Sequence, residues 1–231
     1  MNDIYTETVE YEVDYKTVPG YLARPVAGPG PGIVVIQEWW GLVPHIKDVA
    51  GRFARQGYYA LAPDLYHGEV AEEPDEARKL VMELDHDRAV REINGAVLYL
   101  RSLPLTGPKN VGVVGWCMGG GLAIQAAGLV EGVNAVVVFY GKPPDARFVK
   151  EIHVPLLGLY AEHDHGIPLE RVHQFEKELK ENDVPSEFHI YEGTQHAFFN
   201  ETRPGIYNPE AAKGAWQRTL DWFGKYLWEG E

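Results

Sequence analysis

Four side chains in this 231-residue chain have the types and spacing for covalent chemistry: Cys117, Asp164, His196 and Glu38. Cys117 lies in Gly115-Trp-Cys-Met-Gly119, the spacing of a G-x-S-x-G nucleophile elbow with sulfur in place of the hydroxyl. A nucleophile at the tip of a strand-to-helix turn sits in strained backbone, so its neighbours must lack side chains that would clash. The helix that follows points its N-terminus at the sulfur, which favours thiolate and any oxyanion forming beside it. Cys117, Asp164 and His196 occur in the order nucleophile, acid, base. In that arrangement His196 Nε2 takes the thiol proton, Asp164 orients the imidazole, and Cys117 attacks a carbonyl. The oxyanion needs two backbone N–H donors. Met118, just after the nucleophile, and Trp39, in the loop after an early strand, are placed to supply them.

Each of the four groups follows an apolar run that reads as a strand: 33–37 before Glu38, 111–114 before Cys117, 154–160 before Asp164 and 187–191 before His196. Helical spacing marks 46–56, 74–84, 87–103, 122–129, 169–181 and 210–228. Residues 4–13 and 16–25 read as a hairpin with Pro19-Gly20 at its turn. Strands therefore alternate with helices, the pattern of an α/β fold with a mainly parallel sheet covered on both faces. The length suits one domain spanning 1–231, and the short connections leave no room for a lid domain. Parallel strands bring their carboxyl ends to one edge, where open α/β folds build their sites.

The bulk numbers remove several classes. A net charge of −13 gives no footprint for nucleic acid. No apolar run approaches the ~20 residues of a membrane span. The opening residues have neither the basic start nor the apolar core of a secretion signal. A single cysteine cannot form an internal disulfide, so a reducing, cytoplasmic setting is expected, with the thiol kept free. No Lys-Ser/Thr follows the Gly-rich turn, which argues against a phosphate cradle. Two alternatives stay open. His163, His165 and His196 could hold a metal, or Cys117 could serve a non-enzymatic binding or redox-sensing protein. A carboxylate at Glu38, after a buried strand, is costly unless paired.

Taken together, Gln37-Glu38 before an apolar pair and Gly41, Pro63-Asp-Leu-Tyr66, Gly115-Trp-Cys-Met-Gly-Gly120, Ala161-Glu-His-Asp164 and Gly193-Thr-Gln-His-Ala-Phe198 resemble the dienelactone hydrolase (carboxymethylenebutenolidase) family. The resemblance covers nearly the whole chain. It implies a compact α/β-hydrolase fold, a small-molecule ester or lactone substrate, and a Cys-His-Asp triad made by Cys117, His196 and Asp164. It also implies that Glu38 contacts the resting thiol and that Trp39 and Met118 are the oxyanion donors. No cofactor or metal is implied; the assembly would be a monomer or small homo-oligomer. Two arginines that bind a substrate carboxylate in the family are replaced here, by Pro74 and Asn200. Arg78 and Arg203 could substitute, or be solvated surface arginines. Trp40 and Phe198 suggest an aromatic pocket mouth. A broad small-ester carboxylesterase without dienelactone activity is the alternative.

Overall fold

The computed structural model describes residues 3–104 and 110–228. The outermost residues of the expected 1–231 domain lie outside that range. Among the described residues, eight strands form one sheet in the order β1-β2-β4-β3-β5-β6-β7-β8. They are β1 (Ile4–Val13), β2 (Lys16–Pro25), β3 (Gly32–Ile36), β4 (Tyr59–Pro63), β5 (Val111–Trp116), β6 (Val133–Phe139), β7 (Leu156–Ala161) and β8 (Ser186–Tyr191). β2 is antiparallel to β1 and to β4; every other pairing is parallel. The fold is α/β with a mainly parallel sheet, as the alternation of strands and helices requires.

Burial follows the two-residue period of a strand. In β3, Ile33 and Val35 join a core with Ile46 and Phe53 of α1 (Pro44–Arg55) and Phe223 of α7 (Pro209–Phe223). Val34 and Ile36 join the opposite core, with Ile93 and Leu100 of α3 (His86–Ser102), Ile124 of α4 (Met118–Leu129) and Phe175 of α6 (Leu169–Glu181). Both faces of the central strands are covered, so those strands read as continuous apolar runs.

Three local expectations need correcting. The hairpin turns at Asp14 and Tyr15, both with positive φ (51° and 61°), and Pro19-Gly20 lies inside β2. Two positive φ values match the right-handed twist of the flanking strands. β5 runs on to Trp116 and α4 begins directly at Met118, so only Cys117 separates strand from helix. The C-terminal helix ends at Phe223 and continues as a π-helical turn, Gly224–Trp228. The short α5 (Ala146–Val149) was not expected, and α2 (Pro74–Glu83) lies close to its expected range. Among the described residues no helix is long and apolar enough to cross a membrane.

Candidate active site

Cys117 occupies the one residue between β5 and α4, with φ 56° and ψ −117°. That conformation costs a non-glycine residue about 1–3 kcal/mol and persists because its surroundings leave no alternative. A Cβ on Gly115 would lie 2.0 Å from the Gly119 carbonyl oxygen, and one on Gly119 2.3 Å from the Gln37 carbonyl oxygen. The glycines at plus and minus two are thus required by backbone-to-backbone contact. The Cys117 N–H donates to the Phe139 carbonyl (3.0 Å), anchoring the turn to β6. Met118 is the first residue of α4, so its N–H has no partner within the helix.

Asp164 follows β7 in a loop that fixes its carboxylate. Oδ1 accepts from the Gly166 and Ile167 N–H groups (2.9 and 3.1 Å), and Oδ2 accepts from His196 Nδ1 at 2.6 Å. The loop carrying His196 is tied down in turn. The Gly193 N–H donates to Glu162 (2.7 Å), the Thr194 hydroxyl to the Tyr191 carbonyl (2.7 Å), and the His163 N–H to the Thr194 carbonyl (2.9 Å). With Nδ1 committed to Asp164, Nε2 is left for the sulfur. Burial disfavours the imidazolium, but the Asp164 hydrogen bond and the neighbouring Cys117 sulfur outweigh it and lift His196 to about 10.

Glu38, only 2% exposed, follows β3. Its Oε2 accepts from the Asn200 amide (2.6 Å) and its Oε1 from the Tyr140 hydroxyl (3.2 Å). The Asn200 Oδ1 is taken by the Thr202 N–H and hydroxyl (3.0 and 2.7 Å), so its NH₂ must face Glu38. Burial raises the Glu38 pKa; the Asn200 bond, His196, the Tyr140 bond and Arg203 offset this only in part. Glu38 faces the same cavity as Cys117, but its carboxylate is engaged by Asn200 and Tyr140 and not by the thiol. This corrects the expected thiol contact. Asn200 and Tyr140 were not anticipated as site residues. A sequence signal existed for Tyr140, which caps β6 at the same edge as the other groups.

These groups open into a cavity of about 530 Å³. Trp39, Trp40, Pro74 and Ile206 form its apolar wall, and His163 and His165 line it beside Asp164. Trp40 meets Trp39 edge-on, and the Arg203 guanidinium lies 3.7 Å from the Trp40 ring centre. Two expected residues are elsewhere. Arg78 is 64% exposed, pairs with Asp75 (2.8 Å), and does not line the cavity. It sits on the outer face of α2, one turn beyond Pro74. Phe198 is fully buried between Tyr140 and Tyr191, with ring centres 5.5 and 5.0 Å away, and belongs to the core. Among the described residues no three His, Cys, Asp or Glu side chains group as metal ligands, and His163 pairs with Glu162 instead.

The sequence profile of the dienelactone hydrolase family matches residues 18–227. The chain belongs to that family. It is 38% identical to "Protein usf" of Aquifex pyrophilus, over 96% of this chain and 99% of that one. It is 36% identical, over the same shares, to the Aquifex aeolicus protein named "Putative carboxymethylenebutenolidase". The crystal structure titled "Putative Dienelactone Hydrolase" from Klebsiella pneumoniae superimposes with a TM-score of 0.90 at 28% identity, covering 97% of this chain and 100% of that one. This member of the dienelactone hydrolase family is therefore a hydrolase acting on a small molecule, built on an α/β-hydrolase fold.

Proposed function

We propose that this hydrolase cleaves a small carboxylic ester or lactone through an acyl-thioester on Cys117. The observation that carries this is the 2.6 Å bond between His196 Nδ1 and Asp164 Oδ2, which leaves the other ring nitrogen for the neighbouring Cys117 sulfur. His196 accepts the thiol proton, and the thiolate adds to the substrate carbonyl carbon. The oxyanion that forms is received by the Trp39 and Met118 N–H groups. The carbon–oxygen bond to the alcohol breaks as His196 returns its proton to the departing oxygen. In a lactone that oxygen stays tethered to the acyl group. Water, deprotonated by His196, then attacks the thioester and frees the carboxylic acid and the thiol.

Arg203 orients the substrate from the mouth, where its guanidinium lies 3.7 Å from the Trp40 ring centre. Glu38 lies below the triad, with its two oxygens held by Asn200 and Tyr140. Its fixed hydrogen bonds keep it from competing for the sulfur.

Replacing the nucleophile tests the reading. Cys117→Ala is expected to abolish hydrolysis of p-nitrophenyl acetate and of neutral lactones, with thermal melting within a few degrees of the parent. Mass spectrometry of the parent under rapid acid quench is expected to show an acyl adduct on Cys117. Turnover surviving in Cys117→Ala would overturn the mechanism.

A further inference from the structure

The Pro63-Asp-Leu-Tyr66 segment has no part in the chemistry above, yet it is built with care. The Asp64 N–H donates to the Pro19 carbonyl (2.9 Å), and the Asp64 carboxylate accepts from the Tyr66 and Gly68 N–H groups (3.3 and 2.8 Å). The Leu65 N–H donates to the buried Gln37 side chain (3.3 Å), next to Glu38. These bonds fix the direction of one side chain, Tyr66, which is 7% exposed and does not line the cavity. Its hydroxyl lies 3.3 Å from the Trp39 carbonyl oxygen and 3.2 Å from the Met118 sulfur. Trp39 and Met118 are the two residues whose N–H groups would receive the oxyanion.

The remaining contacts of this loop point the same way. The Ala71 N–H donates to the Trp40 carbonyl (3.0 Å), and Gly41 bridges to Val70. The Gly41 N–H closes a turn onto the Glu38 carbonyl (3.4 Å), which belongs to the same peptide as the Trp39 N–H. The turn over 38–41 is thus held at its first peptide by Gly41, at its middle by Tyr66 and at its exit by Ala71. Only the Tyr66 hydroxyl also reaches across to the nucleophile side. Burial and the nearby Cys117 sulfur raise its pKa well above the ordinary value, so it stays protonated and able to donate throughout the neutral range.

We propose that Tyr66 is a positioning residue whose hydroxyl ties the 38–41 turn to the first residue of α4, fixing the spacing of the two oxyanion donors. This rests on the thioester reading above. The hydroxyl has one proton and two acceptors, and the carbonyl is the stronger of them. The bond to Trp39 is therefore the principal tether, and the sulfur contact holds the phenol in register with α4. The tether acts only on steps in which an oxyanion forms. It leaves the ionisation of the thiol to His196.

Tyr66→Phe keeps the ring and removes only the hydroxyl. A sub-ångström loss of donor alignment is expected to lower kcat about tenfold to a hundredfold, with KM within about threefold. The inhibition constant of a small aldehyde, whose hemithioacetal adduct carries the same developing oxyanion, is expected to rise in parallel. The rate and pH profile of Cys117 alkylation by iodoacetamide, in which the thiolate displaces iodide from a saturated carbon and no oxyanion forms, are expected to be unchanged. Met118→Leu, which removes one acceptor and keeps the volume, is expected to give a smaller loss, about threefold, in the same two readouts. It decides the case should Tyr66→Phe fail to fold. Turnover and aldehyde affinity at parental levels would overturn the proposal. So would an alkylation rate that falls with turnover, since Tyr66 would then act on the thiol. Failure of the thioester reading is seen separately, as activity persisting in Cys117→Ala.

Discussion

The floor and the mouth of the cavity are built by different means. On the floor, the two carboxylates are fixed by two or more hydrogen bonds each, and the elbow is fixed by its backbone. Asp164 accepts three hydrogen bonds, Glu38 is clasped from both sides, and Cys117 is held by a backbone that admits only glycine beside it. At the mouth, the Arg203 guanidinium rests on the Trp40 ring with no hydrogen bond between the two side chains, and Ile206 is exposed. Backbone hydrogen bonds define positions to a fraction of an ångström, as bond making demands. Stacked rings and a guanidinium tolerate sliding, which suits recognition of more than one substrate shape.

Substitutions can break this division, and they rank by depth. Asp164→Asn is expected to lower kcat about 10³- to 10⁴-fold with little change in KM, because the wrong imidazole tautomer is stabilised; steady-state kinetics on a p-nitrophenyl ester measures it. Asn200→Ala removes the 2.6 Å donor to Glu38 and is expected to cost about 1–3 kcal/mol of stability, read by urea unfolding. Arg203→Met is expected to raise KM about threefold to tenfold with kcat nearly intact, while Arg78→Ala changes neither. If Arg203→Met lowered kcat as deeply as Asp164→Asn, the division between floor and mouth would fail.

The smallest effect is one of pH. His45 is buried against Phe199, on the underside of the loop that carries Asn200, and neither ring nitrogen has a hydrogen-bond partner. Burial lowers its pKa below the ordinary 6.5, with Arg52 acting in the same sense and Glu201 and Asp48 opposing. The folded protein therefore excludes a proton that the unfolded chain binds near pH 6.5. Stability is complete above that pH and falls as pH drops below it. His45→Phe is expected to flatten this acid loss between pH 6.5 and 5, read as the shift in urea midpoint.

The elbow and the order Cys117, Asp164, His196 were legible in the sequence because both depend on local spacing and on strand ends that parallel pairing must align. Partners of those residues were not legible, because they arise from long-range packing. Nothing in the sequence near Glu38 names Asn200, 162 positions away, as its hydrogen-bond donor. Arg78 illustrates the opposite error. Its number places it one turn past Pro74, but helical geometry turns it outward to Asp75. Phe198 and Phe199 look alike in sequence and both are buried. The Pro19-Gly20 pair misled because its chemistry suits a turn, while Gly20 packs inside β2, where a Cβ would press on the Leu61 side chain at 3.0 Å.

Cys117 is also the sole cysteine of the chain. A thiol reagent that consumes one equivalent therefore counts competent sites directly, without a substrate. The same solitude sets how the protein ages. A sulfenic acid at Cys117 has no second thiol in the chain to condense with. Rescue must come from a thiol outside the chain.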